Sequence, residues 1–198
     1  MRQGRRAIVC PALIRMPITD SPMNLQDSYN RAWLFAAGAH AGQTLTASTL
    51  PYAVHLAMVA NEVMAADREA PIERLAETVQ VALLHDVLED TSVPFEELQS
   101  RFGEFVATGA QRLSKVVEGA KLPLDAYLER LASGAPQYAI VKLCDRITNL
   151  QPPPSTWARS KIADYHQESQ RILAVLGHVH EPSAERLRAK MDHYRRHI

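Results

Sequence analysis

Four ionisable side chains fall within six positions near the middle of this 198-residue chain, namely His85, Asp86, Glu89 and Asp90. They directly follow the apolar run Val81-Ala-Leu-Leu84, which is expected to lie in a core. Carboxylates beside a core are unfavourable unless a cation or hydrogen bonds compensate for the lost hydration. We therefore expect a divalent metal at this place, and a bound divalent metal supports hydrolysis of phosphate esters.

The spacing of these four residues is compatible with one groove. His85 and Glu89 are four residues apart, as are Asp86 and Asp90, so on a helix and its C-terminal edge each pair would lie on one side. Adjacent residues differ by about 100° around a helix, so the two pairs would be neighbours. A His-Asp dipeptide alone is more typical of a solvated helix end. The metal interpretation therefore depends on residues elsewhere in the chain.

Two distant segments carry further residues of the right chemical type. His55 follows Pro51-Tyr52, and Asp145 precedes Asn149 by four positions on an apolar stretch. Two histidines with two aspartates would supply nitrogen and oxygen ligands to a divalent ion such as Mn²⁺, Fe²⁺ or Zn²⁺.

The elements that must position these residues are predicted to be helical, because apolar residues recur at spacings of three and four from Leu25 onward. The pattern predicts helices that run from Leu25 towards His40, from Pro51 through Val63, from Pro71 through His85, and over 94–102, 104–115, 123–132, 136–150, 156–176 and 183–197. Residues 41–50 are predicted to form a loop. No alternating pattern typical of a strand reaches a useful length, so the fold class is predicted to be all-α.

Charge and cysteine content narrow the classes of function. Lys plus Arg (22) equals Asp plus Glu (22), and this balance gives no support for a nucleic-acid partner. Cys10 and Cys144 lie far apart in the sequence, which favours a reducing, cytoplasmic location over a disulfide framework. No apolar run approaches the roughly 18 residues needed to cross a bilayer, so no membrane partner is predicted.

The first residues differ in character from the rest. Residues 1–23 begin with several basic side chains, and Pro11, Arg15 and Pro17 interrupt the apolar stretch that follows. We predict a disordered leader over 1–23 and a single domain over 24–198.

Three sequence blocks occur in order: Pro51-Tyr52-x-x-His55, Ala82-Leu-Leu-His85-Asp86-x-x-Glu89-Asp90-Thr91 and Val141-Lys-Leu-x-Asp145-Arg-x-x-Asn149-Leu150. Together they resemble the HD hydrolase domain of the RelA/SpoT group, and especially its stand-alone small alarmone hydrolases. The resemblance covers roughly residues 25–176. It implies an HD-domain helical bundle that hydrolyses the 3′-diphosphate of a purine alarmone, (p)ppGpp or (p)ppApp, and releases pyrophosphate.

The resemblance also implies roles for individual residues. The four implied metal ligands, with Mn²⁺ as the usual metal of the group, are His55, His85, Asp86 and Asp145. Glu89 and Asp90 match an acidic pair that polarises the attacking water and handles protons. We expect one member of this pair to stay partly protonated, because neighbouring carboxyl groups influence each other's titration.

Implied substrate contacts lie in the second half of the chain. Asn149 matches a residue that contacts the nucleotide or orients the reacting phosphate. Lys161 and Tyr165, in Trp157-x-x-x-Lys161-x-x-x-Tyr165, resemble a late pair that contacts the substrate.

One segment departs from the family pattern. Guanosine-tetraphosphate hydrolases typically carry a basic pair after the first helix, whereas this chain has Leu45 and Thr46 near those positions. A guanidinium can stack on a purine and a lysine can add cation–π attraction, but Leu and Thr offer only packing and a hydroxyl. Leu45 and Thr46 are therefore the expected base-contacting residues, and the choice between guanine and adenine stays open.

Two other functions stay open at this stage. One is an HD enzyme that acts on a different nucleotide, and the other is a non-catalytic module that binds an alarmone. His40 is expected to be a capping or core residue, and Arg146 is expected to pair with substrate phosphate or with Glu89. The sequence makes no prediction of oligomeric state.

Overall fold

A computed structural model describes residues 24–117 and 119–198, so the predicted leader over 1–23 lies outside the described residues. The helices of the described part are α1 (Leu25–Ala39), α2 (Ala53–Glu69), α3 (Leu75–Leu84), α4 (Val87–Asp90), α5 (Phe95–Phe102), α6 (Glu104–Leu113), α7 (Leu124–Ala132), α8 (Pro136–Asn149), α9 (Arg159–Leu176) and α10 (Glu181–Tyr194). Short 3₁₀ turns follow α9 and α10 at Gly177–Val179 and Arg195–His197. The prediction of an all-α fold is confirmed.

Two central helices, α3 and α8, form much of the core and lie next to the motif residues. In α3 every residue from Thr78 to Leu84 is buried, and in α8 every residue from Gln137 to Thr148 is buried. Helices α1, α2 and α6 pack against α3, whereas α2, α9 and α10 pack against α8. Burial of apolar surface on both sides of α3 and α8 is the main stabilising contribution, and it fixes the positions of the polar residues at their ends.

A glycine permits the close packing of α6 on these central helices. A Cβ atom at Gly109 would lie 2.8 Å from Tyr138 Cε1 and 2.8 Å from Val81 Cγ2. Both neighbours are buried core side chains. Only a residue without a side chain therefore lets α6 approach α3 and α8 at this separation.

The helix that precedes the central motif is shorter than predicted. The expected helix over 71–85 begins at Leu75, because Arg74 has a left-handed backbone (φ 57°) and the Ile72 amide donates to Asp67 Oδ1. It ends at Leu84, and His85 and Asp86 form a turn before the single turn of α4. The predicted helix through His85 therefore ends one residue earlier, and Glu89 and Asp90 lie on a separate helical turn rather than at the edge of α3.

A small hairpin was not expected. The antiparallel strands β1 (Val116–Val117) and β2 (Ala120–Lys121) pair across a turn in which Gly119 has a φ of 79°. Two-residue strands are too short to show the alternation that marks a strand in sequence. The predicted helix over 104–115 ends at Leu113 instead, because the Ser114 hydroxyl bonds to both backbone groups of Val116.

The loop before α2 is held by backbone hydrogen bonds. Thr44 and Pro51 form an isolated antiparallel bridge, and the Leu45 amide donates to the Leu50 carbonyl at 3.0 Å. Pro51 therefore belongs to this loop, and α2 begins two residues later than predicted. Among the described residues, no helix combines the length and apolar character needed to cross a membrane.

Candidate metal centre

The two motif histidines are buried and turn the same ring nitrogen towards two carboxylates. His85 Nδ1 lies 2.8 Å from the Ala82 carbonyl oxygen, which can only accept, so Nδ1 carries a proton and Nε2 is the ring nitrogen available to a metal. His55 Nδ1 lies 3.4 Å from the Thr148 hydroxyl, which in turn donates to the Asp145 carbonyl. Hydrogen bonds at one ring nitrogen orient the other as a ligand.

The carboxylates of Asp86 and Asp145 face these nitrogens. His85 Nε2 is 2.9 Å from Asp86 Oδ2 and 3.8 Å from Asp145 Oδ1. His55 Nε2 is 3.3 Å from Asp145 Oδ1 and 3.9 Å from Asp86 Oδ2. The four predicted metal ligands, which come from α2, the turn after α3, and α8, therefore converge.

These charges strongly affect one another. Burial lowers the pKa of the His85 ring, but the carboxylates of Asp86 and then Asp145 outweigh it and raise that pKa to about 9. Burial raises the pKa of the Asp86 carboxyl, but His85 outweighs it and brings that pKa to about 2. The pKa of Asp145 is well below its usual range, because Lys142 and the histidines outweigh the effect of burial. Both carboxylates are thus ionised and favour a cation between them.

The arrangement fits a divalent metal. Ligand atoms of His55, His85 and Asp86 lie within 4.8 Å of one another. His85 Nε2 is buried, and the carboxylate oxygen Oδ2 of Asp86 lies 2.9 Å from it. A ring nitrogen this close to a carboxylate needs a proton or a metal cation between them, and the raised pKa of His85 reflects the same attraction for positive charge. The donor set of imidazole nitrogens and carboxylate oxygens suits Mn²⁺, Fe²⁺ or Zn²⁺.

Glu89 and Asp90 lie in the single turn of α4, beside these ligands. Their amides donate to the Asp86 carbonyl at 3.2 and 2.9 Å, so the turn keeps both residues next to Asp86. The Lys115 amide donates to Glu89 Oε2 at 2.5 Å. Partial burial, together with the charges of Asp86 and Glu89, raises the pKa of the Asp90 carboxyl. Asp90 is therefore the member of the pair that retains a proton more readily than an ordinary aspartate.

Asn149 lies beside the candidate metal centre, where it contacts one of the predicted ligands. Its Nδ2 donates to Asp145 Oδ1 at 2.5 Å, across one turn of α8. The side chain is exposed, so it can also reach a bound molecule.

The predicted late pair lies on α9. Tyr165 packs its ring on the Arg146 guanidinium, with 4.1 Å from the ring centroid to Cζ. Lys161 is exposed, and its Nζ lies 4.1 Å above the Trp157 ring. The structure therefore links Tyr165 to the helix that carries Asp145, whereas the Lys161 ammonium lies on a tryptophan.

The predicted base-contacting residues lie in the loop before α2. Leu45 is half-buried and Thr46 is exposed. The same loop supplies Gln43, whose Nε2 donates to the Asp90 carbonyl at 2.7 Å. Gln43 also lies 2.8 Å from His40 Nδ1, and His40 is buried at the C-terminus of α1 as predicted.

Arg146 pairs with Glu168 and not with Glu89, one of its two expected partners. The guanidinium is buried, and it donates to Glu168 Oε1 at 2.5 Å and lies 3.4 Å from the Ser169 hydroxyl. The expected pairing with Glu89 is wrong, because Glu89 bonds to the Lys115 amide.

Two residues with direct contacts to the ligands were missed by sequence reasoning. The Tyr52 hydroxyl donates to Asp86 Oδ2, and Lys142 Nζ lies 2.6 Å from Asp145 Oδ2. Each stands three residues before a ligand, His55 or Asp145, within the motif blocks. A polar side chain one helical turn away from a buried ligand is the signal that could have identified them.

Comparisons with known proteins agree with this fold. The model of the HD domain family matches residues 32–180. A guanosine-3′,5′-bis(diphosphate) 3′-pyrophosphohydrolase of Aquifex aeolicus is 31% identical over 161 residues, which are 77% of this chain and 21% of that protein. The guanosine-3′,5′-bis(diphosphate) 3′-pyrophosphohydrolase MESH1 of Danio rerio is 33% identical over 108 residues, or 50% of this chain and 58% of that protein. The chain thus spans about a fifth of the length of the Aquifex aeolicus protein and somewhat over half of the length of the Danio rerio protein.

A solved structure shares the fold. It belongs to a metazoan ortholog of SpoT described as hydrolysing ppGpp, and it superposes with a TM-score of 0.73 over 88% of this chain and 98% of that one, at 21% identity. The curated relatives confirm the resemblance to RelA/SpoT-type HD hydrolases, and this structure confirms the fold. Since the family model matches about three quarters of its length, the chain belongs to the HD domain family.

Proposed function

We propose that this chain is a metal-dependent hydrolase that removes the 3′-diphosphate, as pyrophosphate, from a purine alarmone, (p)ppGpp or (p)ppApp. The observation that carries the proposal is the convergence of His55, His85, Asp86 and Asp145, with Glu89 and Asp90 one turn beyond. The names of the curated relatives support the same chemistry. We further propose that residues 24–198 form one HD domain.

The metal ligands in this proposal are His55, His85, Asp86 and Asp145, and the metal is Mn²⁺. When bound, the cation supplies a water of lowered pKa and neutralises phosphate charge. Glu89, held at Oε2 by the Lys115 amide, accepts a proton from the attacking water. Asp90, whose carboxyl has a raised pKa, donates a proton to the leaving oxygen.

The substrate is bound by residues on two sides of this centre. Asn149 is exposed next to Asp145 and contacts the reacting phosphate or the sugar. Lys161 and Tyr165, on α9, contact the outer part of the nucleotide. Leu45 and Thr46, in the loop before α2, face the base, a position where the absence of a positive charge weakens selection for guanine.

The purified chain is expected to release pyrophosphate from ppGpp or ppApp in the presence of Mn²⁺, and to lose this activity with a chelator. The two nucleotides are compared side by side, and pyrophosphate and orthophosphate are measured separately. Release of orthophosphate alone, or turnover only of deoxynucleotides, would assign the chain to HD enzymes that act on another nucleotide. Metal binding without turnover of either alarmone would assign it to the non-catalytic modules.

Addition of a basic pair to the loop is expected to improve guanosine binding. The double variant Leu45→Arg, Thr46→Lys should lower the KM for ppGpp by roughly 2- to 30-fold, as a cation–π contact worth about 0.5–2 kcal/mol implies. Backbone bonds hold the loop, and Thr46 is exposed, so the new side chains can be accommodated. The matched control is Leu45→Met, Thr46→Gln, which adds length without charge. An equal KM for the charged and uncharged variants would rule out base contact by this pair.

A further inference from the structure

Lys142 is an unusual residue for the interior of a central helix. It lies on α8, one turn before Asp145, and only 5% of it is exposed. A buried ammonium is unfavourable unless it is paired and hydrogen-bonded. Its carboxylate partner is Asp145, with Nζ 2.6 Å from Oδ2.

The two oxygens of Asp145 have different partners. Oδ1 faces the histidine nitrogens, at 3.3 Å from His55 Nε2 and 3.8 Å from His85 Nε2. Oδ1 also accepts from Asn149 Nδ2 at 2.5 Å. Oδ2 is turned away to Lys142. The plane of the carboxylate is therefore set by donors at both oxygens.

We propose that Lys142 is a positioning residue that holds Asp145 so that Oδ1 alone is presented to the metal. The inference rests on the proposed ligand set. The terminal torsion of an aspartate is broad and roughly two-fold. Without a donor on Oδ2, the carboxylate of Asp145 can rotate and offer either oxygen, or both, to the cation.

Two explanations of the role of Lys142 predict opposite changes in metal affinity when its ammonium group is removed. An ammonium near the centre repels a divalent cation, so its removal would tighten binding if charge were its only effect. Positioning predicts weaker binding on removal, because the ligand loses its fixed orientation. The sign of the change in affinity therefore separates the two explanations.

Lys115 provides a matched control. Both ammonium groups lie near the aromatic ring of Tyr127, with the Nζ atoms of Lys115 and Lys142 at 5.9 and 5.6 Å from the ring centroid. The Lys115 ammonium lies 3.5 Å from Glu168 and forms no ion pair with Asp145 among the described residues. Lys115→Met removes a neighbouring positive charge without removing a donor from a ligand.

The experiment is a calorimetric titration of the chelator-treated chain with Mn²⁺ alone. We expect Lys142→Met to raise the Mn²⁺ dissociation constant by roughly 10- to 100-fold, as loss of partners that orient metal ligands typically does. Lys115→Met should bind Mn²⁺ as the unsubstituted chain does, or more tightly. Lys142→Arg, which keeps a donor near Oδ2, should recover part of the loss. Equal or tighter binding by Lys142→Met would overturn the inference.

Folding of the variant is checked in the same buffer by thermal unfolding. Should Lys142→Met not fold, Lys142→Gln replaces it, because the glutamine amide keeps a polar group near Asp145 but is one bond too short to reach Oδ2. About tenfold weaker Mn²⁺ binding by Lys142→Gln is expected, and unchanged binding would overturn the inference. Failure of the unsubstituted chain to bind Mn²⁺ would contradict the proposed ligand set itself, which is a separate outcome.

Discussion

Replacement of Asp86 by asparagine is expected to lower turnover by at least about 10³-fold and to abolish stabilisation by Mn²⁺. The loss corresponds to roughly 4 kcal/mol of transition-state stabilisation, within the several kcal/mol that a bound divalent metal supplies. Asp86 Oδ2 lies 2.9 Å from His85 Nε2 and 3.9 Å from His55 Nε2, so the substitution removes a negative charge from the point where the ligands converge.

The variant should nevertheless fold. Asp86 Oδ2 faces both the Tyr52 hydroxyl and His85 Nε2, so the amide nitrogen of asparagine in its place can donate one N–H to Nε2 and the other to the hydroxyl oxygen. The Asp86→Asn substitution therefore replaces the cation with a hydrogen bond and leaves no buried group without a partner. This is why asparagine, rather than alanine, separates loss of metal from loss of fold.

Thermal unfolding with and without Mn²⁺ measures this effect directly. At a metal concentration of 100 times the dissociation constant, the unsubstituted chain should gain about 2.7 kcal/mol, whereas the variant should gain none. Asp125→Asn is the matched control, because Asp125 is exposed and pairs with Arg171 on α9. Retention of the Mn²⁺ shift by the Asp86 variant would remove Asp86 from the ligand set.

The set of four predicted ligands was implied by the family resemblance, and it agrees with the burial of the helices that carry or precede three of them. His85 and Asp86 follow α3, and Asp145 lies within α8, the two most buried helices of the described part. Histidine and aspartate side chains in such buried surroundings need polar partners, and the nearest available partners are the other predicted ligands. The helix predicted from the apolar periodicity, however, wrongly extended through His85, because periodicity does not show where a helix ends in a turn.

Hydrogen bonds between distant segments were not predictable. Tyr52 reaches Asp86 over 34 residues, and Glu89 reaches the Lys115 amide over 26. Such bonds depend on how α2, α4 and the end of α6 are placed relative to one another. Sequence patterns report only neighbours within one or two turns. The pairing of Arg146 with Glu168, 22 residues further along the chain, was missed for the same reason.

Substrate contacts remain predictions for a related physical reason. Tyr165 and Lys161 are one turn apart on α9, yet the first packs on Arg146 and the second on Trp157. An exposed lysine on a four-carbon stem can take many orientations, and a bound phosphate would compete with the tryptophan for it. The loop with Leu45 is instead fixed by its backbone. The base preference is therefore the property that the variants of this loop test most directly.

Replacement of Glu89 by glutamine is expected to lower kcat by about 10²- to 10⁴-fold, the usual contribution of a positioned general base, while Mn²⁺ binding is unchanged. Glu89 is half-buried, and its Oε2 accepts from the Lys115 amide at 2.5 Å. The carbonyl oxygen of glutamine can accept the same hydrogen bond, so the connection between α4 and the hairpin is retained. Glutamine, however, cannot take a proton from the attacking water.

The comparison of kcat with metal affinity makes this prediction specific to Glu89. A residue that only shaped the centre would change both quantities, whereas a proton acceptor beside intact ligands changes kcat alone. Glu97→Gln on α5 is the matched control, because Glu97 pairs with Arg101 on the surface and should leave both quantities unchanged. If Glu89→Gln kept full turnover with Mn²⁺ bound, the base would have to be Asp90, whose raised pKa makes it the weaker candidate at low pH. The carboxylate of Asp90 becomes protonated as the pH falls through that raised pKa. On acidification, turnover would then begin to decline at a higher pH than it would with an ordinary aspartate as the base.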